Sequence, residues 1–548
     1  MKSSPQTPLL STQQQSQYST FDKIYDVEAH VKRLASTYSA EAIAISKTAW
    51  KVSVATLCRT LLPAITAAFL GHLGSKELAA SALANVWVSG LQTVIYGFSV
   101  SLCTLCGQAF GAKNYELVGI WFQLGVVSLT VISIPMCISF YYVDYILCYV
   151  TDDAQVLALA TLFSRYSILS VWPQCFNCAL RQYLQAQEIV TPGTVVSSIS
   201  VVLCILANYL FIYKWDYGFV GSPIAQFVAD AFQPLALVAH ACAYRKYHKK
   251  TWFGWTWACV DPERVRRFTW LSFTMTLNVA MDEWIYSAIT AVAGSIGPLD
   301  LAANSILYTL WNLVYSIYWG FGLPTQVRVA NFLGAKQPHA AQQTMRVGFV
   351  LGGIAAFGSA GLFYSFMTPI LAFFTPDPQL TLLIKNNMLL FGIAVGLSGL
   401  HIVLASVLEA MSKAKTLLCI TGTGSWGVMF PLSYLLGITA NLGLSGLWIG
   451  SICGEFAKFI LVVWALQRIN WRRAARKAAS EAGHNHYTEE EVAMARLSVG
   501  TATPSMFSPV ISRRMNQKDY ELTRSQSEND SESNDDELSE IRPRALSC

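Results

Sequence analysis

The chain has 548 residues, 53% of them hydrophobic and only 13% charged, with a formal net charge of +5 and a mean hydropathy of +0.40. An ordinary soluble domain carries about 25% charged residues and cannot bury so much apolar surface. Stretches such as 80–106, 194–213, 301–327, 345–367 and 416–438 each offer a long, nearly uncharged run. About 20 such residues cross a hydrocarbon layer as a helix, and the alternation that barrel strands need is absent.

Along the chain, the first 40 residues are polar and rich in Ser and Gln. They lack the charged start and short apolar core of a cleavable leader, so the first membrane helix is expected to be the targeting signal. Helices are predicted at 48–71, 80–106, 118–139, 158–184, 194–213, 219–243, 268–294, 301–327, 345–367, 382–410, 416–438 and 443–467. Arg245, Lys246, Lys249, Lys250, Arg264, Arg266 and Arg267 follow the sixth, and other even-numbered connections carry Lys113, Arg328, Lys336, Arg346, Lys413 and Lys415. The positive-inside rule then places both termini in the cytoplasm. The expected domains are a polar N-terminal segment at 1–43, an N-lobe at 44–243, a basic linker at 244–267, a C-lobe at 268–470 and a disordered acidic, Ser-rich tail at 471–548. Within that tail Ser525, Ser527, Ser531 and Ser533 are candidate phosphorylation sites, and Pro8-Leu9-Leu10 is a weak sorting signal.

An internal repeat joins the two lobes. Gly71-His-Leu-Gly-Ser-Lys-Glu-Leu-Ala-Ala matches Gly294-Ser-Ile-Gly-Pro-Leu-Asp-Leu-Ala-Ala at an offset of 223, and the same offset carries Gly97-Phe98 onto Gly320-Phe321 and Gly111-Ala-Lys113 onto Gly334-Ala-Lys336. Later segments continue the match at offsets of 224 and 225, Asp230 meeting Glu455. Six helices per copy make the repeats parallel, which predicts two lobes around an axis along the membrane normal and a site between them near the midplane.

Thirteen cysteines lie mostly in apolar segments. Cys103 with Cys106 and Cys175 with Cys178 have metal-ligand spacing, but no further ligand neighbours them, so they read as small helix residues and no cofactor is expected. No Gly-x-x-x-x-Gly-Lys-Ser/Thr phosphate loop occurs, which points to an ion gradient as the energy source. No basic groove for nucleic acid stands out.

A charge at bilayer depth calls for a partner or an aqueous cavity. The candidates are Asp282 and Glu283 in the seventh helix, Asp230 in the sixth, Glu455 in the twelfth and Glu409 near the end of the tenth. Asn278 and Tyr286 share the face of Asp282. A desolvated carboxyl can exchange a proton, whereas a purely structural acid would pair with Arg59 or Lys51. Trp284, Tyr286, Trp311, Tyr315 and Trp319 could present aromatic faces to an organic cation. A carboxylate-bearing solute would need a basic lining, which only Arg59 and Arg181 offer, and His401 is isolated.

Gly71-His-Leu-Gly with Leu78-Ala-Ala, Cys106-Gly-Gln-Ala-Phe-Gly-Ala-Lys113, Leu184-Gln-Ala-Gln187 and Arg328-Val-Ala-Asn-Phe-Leu-Gly-Ala335 resemble the signature stretches of the multidrug and toxic compound extrusion (MATE) transporters in their eukaryotic branch, over roughly residues 43–470. The resemblance implies an all-α polytopic membrane protein with twelve helices in two six-helix lobes arranged as a V. It also implies export of organic cations, drugs or secondary metabolites against protons, or against sodium as in some bacterial members. Met281-Asp-Glu-Trp284 resembles the helix-seven motif of a Glu followed by two Trp, which transfers the proton-carrying role to Asp282 and makes Glu283 an unusual companion. Acids that animal members carry at positions aligning with Ser287, Thr309 and Ser398 are missing, and Glu409 stands where the family often has Arg. The leading expectation is a monomeric proton antiporter of small organic solutes in the plasma or a vacuolar or lysosomal membrane, with no enzymatic activity. The alternatives are an exporter of organic anions such as citrate and a flippase for lipid-linked precursors.

Overall fold

The computed structural model describes residues 12–151, 153–374 and 377–483, and these are helical, with no strand among them. The membrane helices in chain order are α1 (Thr12–Leu73), α2 (Ser75–Gly111), α3 (Tyr115–Tyr141), α4 (Ala154–Ala186), α5 (Thr191–Lys214), α6 (Gly218–Tyr244), α7 (Pro262–Ile296), α8 (Pro298–Gly334), α9 (Pro338–Ser365), α10 (Pro378–Ala410), α11 (414–439) and α12 (Gly443–Arg468). Short helices at Asp144–Leu147 and Met367–Phe374 precede α4 and α10. Nine of the twelve are long and apolar enough to cross a membrane by composition alone. The other three are α7, with its acids, α8, with its Asn, Tyr and Trp residues, and α11, which is interrupted by π turns at Gly422–Met429 and Leu435–Thr439.

Most helices run a few residues beyond the sequence reading, and two boundaries differ from it by more. The first helix reaches back to Thr12, well before position 48, because no Gly or Pro occurs between 12 and 62 to break it. Residues 471 onward, read as tail, begin with a helix, α13 (Trp471–Glu481). Its Trp471, Ala475, Ala478 and Ala479 form one buried face, and Asn470 caps it by accepting from the Arg473 amide at 3.1 Å. The Arg and Lys between them lower the mean hydropathy and mask this amphipathic spacing. The acidic tail beyond 483, its serines and Pro8-Leu9-Leu10 lie outside the described residues.

Each lobe is built alike. In the first, α4 packs against α2, α3 and α6, and α5 against α1 and α6; in the second, α10 packs against α8, α9 and α12, and α12 against α11. The lobes meet through α1 with α8, α2 with α7, and α2 with α8. The duplication recurs in these contacts, atom against atom. A Cβ on Gly111 would overlap the Asn331 carbonyl, and one on Gly334 would overlap the Gln108 carbonyl. Likewise a Cβ on Gly97 would strike Thr276, and one on Gly320 would strike Ser53. Each pair maps onto the other at the offset of 223. Without side chains at these points, helix backbones approach closely enough for dense packing where no hydrophobic force drives association.

The hydrogen bonds and ion pairs that cross between the lobes gather at the end carrying the basic connections. Gln108 Nε2 donates to the Ala410 carbonyl at 2.8 Å and Thr104 Oγ1 to the Glu409 carbonyl at 3.1 Å. Arg328 on α8 holds Glu41 on α1 at 2.6 Å and Glu188 of the N-lobe at 3.2 Å. The linker belongs to the N-lobe side of this end, since Gln123 on α3 donates to the Gly254 carbonyl at 2.6 Å and accepts from the Thr256 amide at 3.1 Å.

Gly111→Val is expected to destabilise the protein by about 1–3 kcal/mol through overpacking. Gly90→Val on the same helix, where a Cβ meets nothing within 4 Å, is expected to cost less than about 1 kcal/mol. Melting of the detergent-solubilised variants reads the difference; equal melting temperatures would show that the α2–α8 crossing has slack.

Candidate coupling and substrate site

Inside the C-lobe, three helices bring charges together. Asp282 on α7 and Glu455 on α12 are bridged by Lys458, whose Nζ lies 3.2 Å from Asp282 Oδ1 and 2.7 Å from Glu455 Oε1. Glu455 and Lys458 are one helical turn apart and therefore share a face. Ser425 Oγ donates to Asp282 Oδ1 at 3.2 Å, and Tyr286 OH to Glu455 Oε1 at 3.1 Å. From α10, His401 Nδ1 stands 3.9 Å from Glu455 Oε2. Glu455 is 0% and Lys458 2% exposed, whereas the Asp282 side chain keeps 35% of its surface accessible.

The local backbone shapes this cluster. The π turn of α11 places Ser425 against Asp282 and Trp426 Nε1 within 3.1 Å of the Met281 carbonyl, so α11 grips α7 on both sides of the acid. A Cβ on Gly424 would overlap the aliphatic stem of Lys458, so this glycine leaves the groove in which that stem lies. A π turn of this kind is a frequent feature of functional sites in helices.

The adjacent acids part company. Glu283 is exposed and turned away from the cluster, within the electrostatic reach of Arg59 on α1 and of Tyr308 and Tyr315 on α8. Among the described residues, the pairing of an acid with Arg59 or Lys51 is not found: Lys51 donates to Thr191 Oγ1 at 2.8 Å, and Arg59 lies over the Tyr96 ring at 5.2 Å. The partner of Asp282 is Lys458, which the sequence reading passed over. Its signal was available, as a lysine one turn from Glu455 within an otherwise apolar helix.

Glu409 is buried near the α2–α8 crossing, its Oε2 without a hydrogen-bond partner among the described residues and its carboxyl within the field of Asp282. Asp230 lies apart, in the N-lobe, where Gln174 and Gln226 donate to its Oδ2 at 2.8 and 3.4 Å. The repeat relates the two places. Asp230 corresponds to Glu455, Gln233 to Lys458, Asn177 to His401 and Arg59 to Asp282. The N-lobe thus holds one carboxylate among neutral amides, with Asn177 donating to Gln233 Oε1 at 3.2 Å, where the C-lobe holds charges.

The aromatic candidates also separate. Tyr286 packs on Trp311 at 5.2 Å, and Trp319 on Tyr96 at 5.5 Å and on Tyr315 at 6.3 Å, so both tryptophans are buried in helix packing. Trp284 is 55% exposed, and Asn278 is buried with its Oδ1 unpartnered. Glu283, Tyr315, Tyr308 and, across the lobes, Arg59 with Tyr96 lie within electrostatic reach of one another. No group of His, Cys, Asp and Glu among the described residues could hold a metal ion.

The MatE family profile matches residues 52–210 and 275–435, more than half of the chain and both halves of the repeat. Multidrug and toxin extrusion protein 2 of Mus musculus is 30% identical over 81% of this chain and 77% of its own length. Protein DETOXIFICATION 37 of Arabidopsis thaliana is 28% identical over 76% of this chain and 83% of its own. The crystal structure of the eukaryotic MATE transporter AtDTX14 matches with a TM-score of 0.76 at 23% identity, covering 81% of this chain and 100% of that one. The twelve helices in two lobes are the fold of those transporters, which are not enzymes. The chain is an integral multi-pass membrane transporter and belongs to the MatE family of multidrug and toxin extrusion proteins.

Proposed function

We propose that the chain exports small organic cations and zwitterions in exchange for protons, with residues 44–243 and 268–470 rocking as lobes about the α2–α8 crossing and the 244–267 linker moving with the first. The observation that carries this reading is the enclosed Asp282–Lys458–Glu455 cluster, whose one partly accessible member, Asp282, meets the space beside Glu283. Two carboxylates against one ammonium leave a net negative charge in a low-dielectric site, a condition that a proton relieves. The substrate meets Glu283 and the aromatic rings of Tyr315 and Tyr308, suited to a cationic or aromatic body. The basic connections support a cytoplasmic placement for the closed end and for both termini. On that placement the structure is the outward-facing state, and one chain contains a complete site.

Arg59 and Arg181 favour a carboxylate on some substrates. Among the described residues neither has a carboxylate within 4 Å; Arg181 Nη1 donates to Ser197 Oγ at 3.1 Å and Arg59 rests on Tyr96. A zwitterion bridging Arg59 and Glu283 would span both lobes. Sodium in place of the proton is the competing coupling ion.

In proteoliposomes with an imposed pH gradient, Asp282→Asn and Glu455→Gln are each expected to lower gradient-driven uptake of tetraethylammonium by about tenfold or more, a loss worth ~1.4 kcal/mol or more. Undiminished uptake in both would place coupling elsewhere. Arg59→Gln is expected to spare tetraethylammonium and to weaken betaine inhibition of its uptake by about tenfold, the usual size for losing a charge-assisted contact. Equal inhibition in parent and variant would remove Arg59 from the substrate site.

A further inference from the structure

We propose that Lys458 is a tethered counter-cation that limits the C-lobe site to one dissociable proton and keeps sodium out of it. The inference rests on the reading that the acids of α7 and α12 couple ion movement to transport.

The ammonium occupies the place a dissociable cation would take. It is 3.2 Å from Asp282 Oδ1 and 2.7 Å from Glu455 Oε1, and the Ser425 and Tyr286 hydroxyls complete an oxygen-rich shell around these carboxylates. A hard monovalent ion draws on carboxylate and hydroxyl oxygens of this kind. Lys458 cannot leave, because its stem is held in the groove at Gly424 and the residue is 2% exposed.

The charge count then fixes how many ions remain to be bound. Asp282, Glu455 and Lys458 sum to one negative charge when His401 is neutral, and one proton neutralises the cluster. The atoms show where that proton goes. Glu455 Oε1 already takes Lys458 and Tyr286, while Glu455 Oε2 is buried without a hydrogen-bond partner and His401 Nδ1 stands 3.9 Å from it. His401 Nε2 is likewise unpartnered. A proton on Oε2 would face the imidazole across 3.9 Å. The other charged or titratable groups facing the cluster are Glu283 from α7, Glu409 from α10 and Tyr315 from α8, and among the described residues none of them makes a hydrogen bond to it.

The repeat gives an independent observation. In the N-lobe the carboxylate of Asp230 stands with Gln233 and Asn177, and the position of Asp282 is held by Arg59. The lobe with one acid at this depth has a neutral amide at the lysine position. The lobe with a second acid has the lysine. Lys458 therefore answers the charge of Asp282, and removing it leaves two uncompensated carboxylates in a buried site.

The test is ²²Na⁺ binding to the purified full-length protein near neutral pH, together with sodium-gradient-driven tetraethylammonium uptake in proteoliposomes. Lys458→Met is expected to gain saturable, proton-competed ²²Na⁺ binding about tenfold or more above the parent, and sodium-driven uptake with it. Lys458→Met combined with Asp282→Asn restores the single negative charge and is expected to bind no sodium. Sodium binding by the parent or by the double variant, or its absence in a Lys458→Met protein with a normal melting transition, would overturn the proposal. Should Lys458→Met not fold, Lys458→Gln, which removes the ammonium while keeping both acids and a hydrogen-bond donor, takes its place with the same expected gain of sodium binding. The underlying reading fails separately, when Asp282→Asn and Glu455→Gln retain proton-driven uptake whatever Lys458→Met binds.

Discussion

Where α2 crosses α8, backbone meets backbone. Gly111 lies on the Asn331 carbonyl and Gly334 on that of Gln108, and the equivalence of the two contacts under the repeat places this crossing at the pseudo-two-fold axis. In hydrocarbon, helices gain little by hiding apolar surface from one another, so contact distance decides how strongly they associate. A crossing this close also lets the side chains beside it reach across: Thr104 and Gln108 to the end of α10, and Arg328 to Glu41 and Glu188. The seal at the basic end follows from the glycines, because one methyl group at either would lift Gln108 and Arg328 from their partners.

With the lobes joined at that point, the two copies of the six-helix unit could have kept identical interiors. They did not. The Asp230 environment in the N-lobe is an amide network in which Gln92 donates to Gln174 Oε1 at 2.9 Å and Gln174 donates to the acid at 2.8 Å. This carboxylate is buried and its hydrogen bonds come from neutral donors. The equivalent C-lobe position has an ammonium and a second carboxylate. Charges at such depth cost several kcal/mol unless paired, and removing one member of a buried pair is far more destabilising than replacing both with apolar residues. The asymmetry between lobes sets a carboxylate satisfied by neutral amides against one paired with an ammonium.

The sequence carried the large features well. Hydropathy and the gapless offset located the helices and the duplication because both signals extend over hundreds of residues, and bilayer thickness leaves little freedom in helix length. The acids at 282 and 455 were legible for the same reason, since charge in an apolar run stands out. Their division of labour was not. Neighbouring residues on a helix point about 100° apart, and only packing decides that Asp282 turns to α12 while Glu283 turns outward. Lys458 was overlooked because a search for proton carriers attends to acids, although the lysine obeys the same desolvation rule. The aromatic residues were legible as types without being legible as roles: Trp311 and Trp319 fill helix contacts, work that tryptophan performs as readily as ligand binding. Helix α13 was hidden by its Arg and Lys, which face away from a stripe of Trp and Ala.

The accessibility gradient across the cluster bears on how an antiporter of this construction could link its two ions. Glu455 is sealed and Lys458 nearly so, while Asp282 keeps about a third of its side-chain surface open, beside an exposed Glu283. A cationic solute arriving at Glu283 raises the positive potential at Asp282 first and at Lys458 next, at separations where a low-dielectric interior screens weakly. The ammonium responds by favouring Glu455, the partner farther from the incoming charge, and a carboxylate more tightly paired with Lys458 holds its proton less well. On the proposed reading, proton release then needs no contact between solute and proton carrier. On that same reading Lys458 transmits the exchange, and it does so only while it is held between two acids of unequal exposure.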